Sequence, residues 1–181
     1  MIRSLCRTIL TRWMGYRVNV DQPHPDKYVI ALAPHTSNWD FIISQLYGRA
    51  YGIKCQFMMK KFWFFWPLGY LMRGLGGIPI QRDKRMSMTD QLADVSKRST
   101  TFHLCVTPEG TRKRVTDWKK GFYYIALKAD IPILLYRLDY QKKLIECTKT
   151  IIPNGDYDTQ IQEVKEYFKD SKGCHAEKFS V

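Results

Sequence analysis

Residues 28–52, YVIALAPHTSNWDFIISQLYGRAYG, decide the fold. Residues 28–33 form a short continuous apolar run, the pattern of a strand buried on both faces. Pro34 breaks the run. The chain from Asn38 then reads as a helix that ends near Gly52. His35 therefore falls in a turn between strand and helix, and Asp40 in the helix's first turn. The same alternation continues outward. Strands are expected at 55–59, 77–81, 102–106, 131–138 and 143–151. Helices are expected at 88–99 with Thr89 as its cap, at 120–130 and at 158–170. Pro79 marks its strand as an edge or a strand end. This order implies a single α/β domain, with a mixed, largely parallel sheet flanked by helices.

A chain of 181 residues suits one domain with a substantial core, and 45% hydrophobic and 14% aromatic content exclude a disordered protein. Lys and Arg number 29 against 17 Asp and Glu, a net charge of +12. Residues 156–181 hold four Lys and six acids, a net −2, which leaves +14 on the rest. Such a surface suits a polyanionic partner: nucleic acid, an anionic membrane, or an acidic protein or substrate. The cations sit beside glycine turns and apolar aromatics, with no nucleic-acid motif, so no nucleic-acid partner is expected. The five cysteines (Cys6, Cys55, Cys105, Cys147, Cys174) include no CxxC pair, which argues against a disulfide framework or a zinc ribbon and fits a reducing, cytoplasmic setting.

No apolar run is long enough to span a bilayer, and no signal peptide is evident. Two segments suit a membrane surface instead. Residues 2–14 have helical periodicity, with Ile2, Leu5, Cys6, Ile9, Leu10 and Trp13 on one face and Arg3, Arg7 and Arg12 beside it. A helix packed on the core with exposed arginines is the alternative. Residues 62–72, FWFFWPLGYLM, carry no charge between Lys60-Lys61 and Arg73. Aromatics flanked by cations suit the interface with anionic lipid, or contact with an acyl chain; core packing under a loop is the alternative.

In α/β sheets, ligands gather at the carboxyl ends of strands. Asp40 can meet the His35 imidazole there, fixing its tautomer and raising the basicity of its other nitrogen. No GxSxG elbow or electropositive cysteine supplies a nucleophile, so the pair would activate a hydroxyl or water on the substrate side. Alternatively, His35 and Asp40 only cap the helix. A metal is not expected, because no third ligand stands at a recognised spacing. A second constellation, CVTPEGTRKR at 105–114, follows another strand. Its Pro108–Gly110 turn could cradle an anion, with Arg112, Lys113 and Arg114 adding charge. Glu109 either pairs with an arginine or orients a hydroxyl. A third piece is GGIPIQRDKR, 76–85, with Arg82, Lys84 and Arg85 beyond its strand.

Together these blocks resemble the glycerolipid acyltransferases of the lysophosphatidic acid acyltransferase type. The His-x4-Asp block is His35 to Asp40. The Gly-Ile-x-Ile-x-Arg block runs from Gly77 to Arg82. Pro108 to Arg112 match Pro-Glu-Gly-Thr-Arg without change, and Gly121 with residues 131–133 forms the fourth block. The match spans about residues 28–140. Pro34, Pro79 and Thr107 depart from the family's usual residues, and none removes a catalytic group.

The resemblance implies acyl transfer from a thioester, acyl-CoA or acyl carrier protein, to a hydroxyl of a lysophospholipid such as 1-acyl-glycerol-3-phosphate. His35 would be the base and Asp40 its orienting partner. Arg82 and Arg112 would hold an anionic head, with Glu109, Gly110 and Thr111 shaping that pocket. No cofactor or metal is implied. The domain would divide into a membrane-associating helix (1–14), a catalytic core (28–140) and a C-terminal helix (157–170), held peripherally at the cytoplasmic side of a membrane. A lysolipid with an amino-acid head, a thioester hydrolase and an inactive membrane-binding module are the alternatives.

Overall fold

The computed structural model describes residues 1–80 and 87–181. Among these residues, seven strands form one sheet: β1 (Arg17–Val20), β2 (Lys27–Ala33), β3 (Gln56–Lys60), β4 (Gly77–Ile80), β5 (Phe102–Val106), β6 (Ile133–Asp139) and β7 (Leu144–Ile151). Their order is β1-β7-β6-β2-β5-β3-β4, and every pairing is parallel except β6 with β7. The helices are α1 (Ile2–Thr8), α2 (Trp39–Tyr51), α3 (Leu68–Gly74), α4 (Met88–Arg98), α5 (Gly121–Ala129) and α6 (Tyr157–Phe168).

β2 lies at the centre and shows why its sequence is continuously apolar. Tyr28, Ile30 and Leu32 pack into a cluster with Leu10, Ile43 and Tyr47, under α1 and α2. Val29, Ala31 and Ala33 pack into the opposite cluster with Leu92, Phe122, Ile125 and Phe168, under α4, α5 and α6. A strand covered on both faces has no polar alternation to show. β2 runs parallel to β5 and β6 on its two sides, so the carboxyl ends of all three meet at one edge. That edge carries the turn after β2, the loop after β5 and the residues just beyond β6.

Several local readings change. Ser87, not Thr89, caps α4: its Oγ accepts a hydrogen bond from the Asp90 N–H at 3.2 Å. β1 and α3 were not anticipated from the sequence. β1 is a four-residue edge strand paired with β7 on one side, too short to show a period. The N-terminal apolar stripe does not stay on one face. After α1, residues Ile9–Trp13 widen into a π-turn, with the Met14 N–H bonded to the Ile9 carbonyl at 2.9 Å. Each residue then advances through a smaller angle than in an α-helix. Cys6 and Leu10 are buried, whereas Ile2, Leu5 and Trp13 are exposed. Residues 62–72 are not core packing: Phe62, Trp63, Phe65, Trp66, Tyr70 and Leu71 are all exposed. β4, with Pro79, is the sheet edge, as its proline requires.

Candidate active site

The turn after β2 is built around one carboxylate. Asp40 is fully buried at the second position of α2. Its Oδ2 accepts from the backbone N–H groups of Thr36 at 2.9 Å and Ser37 at 3.0 Å, and lies 3.0 Å from His35 Nδ1. Its Oδ1 accepts from the Tyr140 hydroxyl at 2.6 Å. Burial alone would raise the Asp40 pKa. Hydrogen bonds from His35, Tyr140 and the Ser37 N–H outweigh it and hold the carboxyl below its usual range. Asp40 therefore does not cap α2, which begins at Trp39 and has no side-chain cap; it satisfies the backbone donors of the preceding turn and fixes the imidazole. With Nδ1 engaged, Nε2 is the nitrogen left for chemistry.

Glu109 holds the same histidine from behind. Its Oε1 accepts the His35 backbone N–H at 2.7 Å, bringing the loop after β5 against the turn after β2. Glu109 pairs with no arginine among the described residues, which corrects one of its two expected roles. It is buried, and Oε2 has no hydrogen-bond partner among the described residues. Burial pushes its pKa up to about 7, against the smaller lowering effects of its backbone hydrogen bonds.

The 107–112 loop is shaped by its own bonds. The Gly110 N–H donates to the Thr107 carbonyl at 3.0 Å and so is not free to cradle an anion. Gly110 has φ 65°, and a Cβ there would sit 2.9 Å from Lys119 Cγ. The Lys119 N–H donates to the Pro108 carbonyl at 2.7 Å, tying the loop to the approach of α5. Thr111 Oγ1 accepts from the Lys113 N–H at 3.3 Å. The Arg112 guanidinium bonds the Asn38 side chain at the start of α2, so the third block reaches the first. Arg82 lies outside the described residues, as do Lys84 and Arg85.

His35 and Asp40 line a cavity of about 550 Å³. Its walls are mainly apolar, with Phe41, Phe57, Met58, Val106 and Phe122 among them, and Gly110 and Lys119 also contribute. A long apolar substrate fits such a wall beside a polar mouth.

Sequence reasoning missed Tyr140, Thr36 and Lys119. Tyr140 stands just past β6, parallel to β2, so the strand-end rule that singled out His35 also reaches it. The C-terminal segment completes the support, and no local pattern announced it. The Tyr140 N–H donates to the Lys172 carbonyl at 2.8 Å, and the His175 N–H to Thr36 Oγ1 at 3.1 Å. Gly173 lies so close to the turn that a Cβ there would sit 2.6 Å from Thr36 Oγ1.

An acyltransferase family model matches residues 16–135. No curated protein matches the chain. The crystal structure of the 1-acyl-sn-glycerophosphate (LPA) acyltransferase PlsC from Thermotoga maritima is similar in fold. Its TM-score is 0.63 at 20% sequence identity, over 93% of this chain and 75% of that one. The sheet order, the turn that joins His35 to Asp40 and the matched span together lead to one conclusion: the chain belongs to the acyltransferase family.

Proposed function

We propose that the chain transfers a fatty acyl group from an acyl thioester, acyl-CoA or acyl carrier protein, to a hydroxyl of a lysophospholipid such as 1-acyl-glycerol-3-phosphate, in phospholipid biosynthesis. The observation that carries this reading is the buried Asp40 carboxylate, bound by three other donors and set against His35 Nδ1 at the mouth of an apolar cavity. His35 Nε2 takes the proton of the acceptor hydroxyl as its oxygen attacks the thioester carbonyl. Asp40 balances the charge of the imidazolium that forms. Collapse of the tetrahedral intermediate breaks the carbon–sulfur bond, and the imidazolium returns the proton to the leaving thiolate. No acyl-enzyme forms. The thioester carries the driving force, so the reaction needs no metal.

Arg112, in the loop after β5 and bonded to Asn38 at the start of α2, takes the anionic head of the acceptor. Arg82 shares this role on the resemblance of its block alone. Glu109, Gly110 and Thr111 set the shape of the loop that carries Arg112. No helix among the described residues is long and apolar enough to cross a membrane. The exposed Phe62, Trp63, Phe65 and Trp66, between Lys60-Lys61 and Arg73, support peripheral binding to an anionic membrane, at its cytoplasmic side.

The test uses purified protein, a palmitoyl thioester and a panel of lysolipids, with thiol release and lipid product both measured. Wild type should form product and His35→Ala should not. Thiol release without a new lipid would make the protein a hydrolase. Product from lysolipids with an amino-acid head alone would move the acceptor class. Equal product from His35→Ala would overturn the mechanism.

A further inference from the structure

A second cavity, of about 500 Å³, opens at the opposite ends of the strands from His35. It lies where α1 begins, α2 ends and α3 ends, over the starts of β3, β4 and β5. Arg3, Arg49, Lys54 and Arg73 line it. Among the described residues no acidic side chain lines it, and none of the four cations has a carboxylate partner. The partial negative charge at the end of α2 opposes an anion there, but amounts to about half a unit against four full positive charges. These cations come from three separate helices and a loop, so they are not one solvated helical face.

The cavity is not isolated. Gln45, Cys55 and Gln56 line both it and the catalytic cavity. Arg49 lies nine residues along α2 from Asp40, an axial distance of about 14 Å. The substrates proposed above include one molecule with a phosphate at that distance from its reacting atom. In a phosphopantetheine thioester, thirteen bonds separate phosphorus from sulfur. That is the length of about four extended residues, about 15 Å. The arm carries two amides, and the wall shared by the two cavities offers the side-chain amides of Gln45 and Gln56. Gln56 Oε1 accepts from the His103 N–H at 3.1 Å, which leaves its amide nitrogen as a donor.

We propose that the basic cavity between α1 and α3 binds the phosphate of the thioester donor's phosphopantetheine arm, with the arm running past Gln45 and Gln56 so that its thioester reaches His35. This rests on the acyl transfer proposed above. It applies to both donor types, because acyl-CoA and acyl carrier protein share this phosphate.

The test compares palmitoyl-phosphopantetheine with palmitoyl-pantetheine, which differ by the phosphate alone. For wild type, KM should be roughly ten- to a hundredfold lower with the phosphorylated donor. In an Arg49→Gln/Arg73→Gln variant that preference should largely vanish. Thermal melting checks that the variant folds, and Arg3→Gln/Lys54→Gln is the second pair if it does not. A preference that survives in the folded variant overturns the proposal. So does loss of binding to phosphatidylglycerol vesicles with the donor preference intact, which would assign the cavity to a lipid headgroup. Equilibrium binding of free phosphopantetheine separates the two readings. Arginine-dependent binding by a wild type that turns over no thioester sinks the acyl transfer and keeps the cavity's ligand. Turnover with no preference for the phosphate in wild type sinks the cavity proposal alone.

Discussion

The turn after β2 and the loop after β5 each bring a buried carboxylate to His35, and the two carboxylates differ in what surrounds them. Asp40 meets the ring and accepts from four donors, two of them backbone N–H groups. Glu109 meets the backbone N–H of the same residue with one oxygen, while its other oxygen has no partner among the described residues. Burial pushes both toward the neutral form. In Asp40 the donors win, and the carboxyl is held below its usual range. In Glu109 burial wins, and the pKa rises to about 7. The number of donors, not depth alone, decides which carboxylate can stabilise an imidazolium.

The harshest break of this contrast is Asp40→Asn. The amide can still accept from one side but cannot carry the compensating charge. A kcat loss of roughly a thousandfold or more is expected, by the logic of His–Asp pairs in hydrolases. Steady-state rates with a saturating thioester check it. A loss of less than tenfold would reduce Asp40 to a turn-organising residue.

Glu109→Gln tests the other half, through stability. The folded pKa of Glu109, about 7, is above its unfolded value of 4.5. The folded protein therefore binds more protons than the unfolded chain between those values, and stability falls as pH rises through that window. The effect is roughly 3 kcal/mol when complete. Gln keeps an acceptor for the His35 N–H and cannot ionise. Its stability relative to wild type should therefore increase from pH 4 to pH 8, as urea unfolding at several pH values would show. A relative loss at high pH would mean that ionised Glu109 has a cation beside it.

How much of this was legible follows from sequence separation. The contact of His35 with Asp40 spans five residues and lies within one strand–turn–helix unit, so spacing alone suggested it. β2 declared its central place because both of its faces are apolar. Glu109 was visible as a motif residue, but its partner is 74 positions away, and charge alone suggested an arginine instead of a backbone N–H. Tyr140 is 100 positions from Asp40 and carries no motif. The N-terminal stripe was readable only as an ideal helix: α1 buries Cys6 but leaves Ile2 and Leu5 exposed, and the π-turn at Ile9–Trp13 shifts Trp13 away from the buried Leu10. Local periodicity gave the sheet and the turn; the second carboxylate and the tyrosine needed the register that sets three strand ends side by side.

Tyr140→Phe sharpens the comparison by making Asp40 more like Glu109. It removes the 2.6 Å donor from Oδ1 while leaving the ring contact and both backbone bonds. One charge-assisted hydrogen bond of this kind corresponds to roughly tenfold in rate. The loss should fall on kcat, with the KM of both substrates little changed, because Tyr140 acts through Asp40. The Asp40 pKa should move upward, since one of the contacts that lowers it is gone. A change in KM alone would place Tyr140 in substrate binding instead.

Gly110→Ala asks how far the loop after β5 depends on its backbone shape to deliver Glu109. The residue has φ 65°, where an L side chain is strained, and the new Cβ would sit 2.9 Å from Lys119 Cγ. A loss of about 1 kcal/mol in stability is expected. Lys119 is tied to Pro108 through its N–H, so it is poorly placed to retreat. Any shift therefore passes to Glu109 and, through its 2.7 Å bond, to the backbone of His35. If the loop positions His35, kcat falls together with stability, and the double variant Gly110→Ala/Glu109→Gln loses less than the two single effects added together. If the two losses simply add, Glu109 and Gly110 act independently, and only the turn that contains Asp40 sets the geometry of the base.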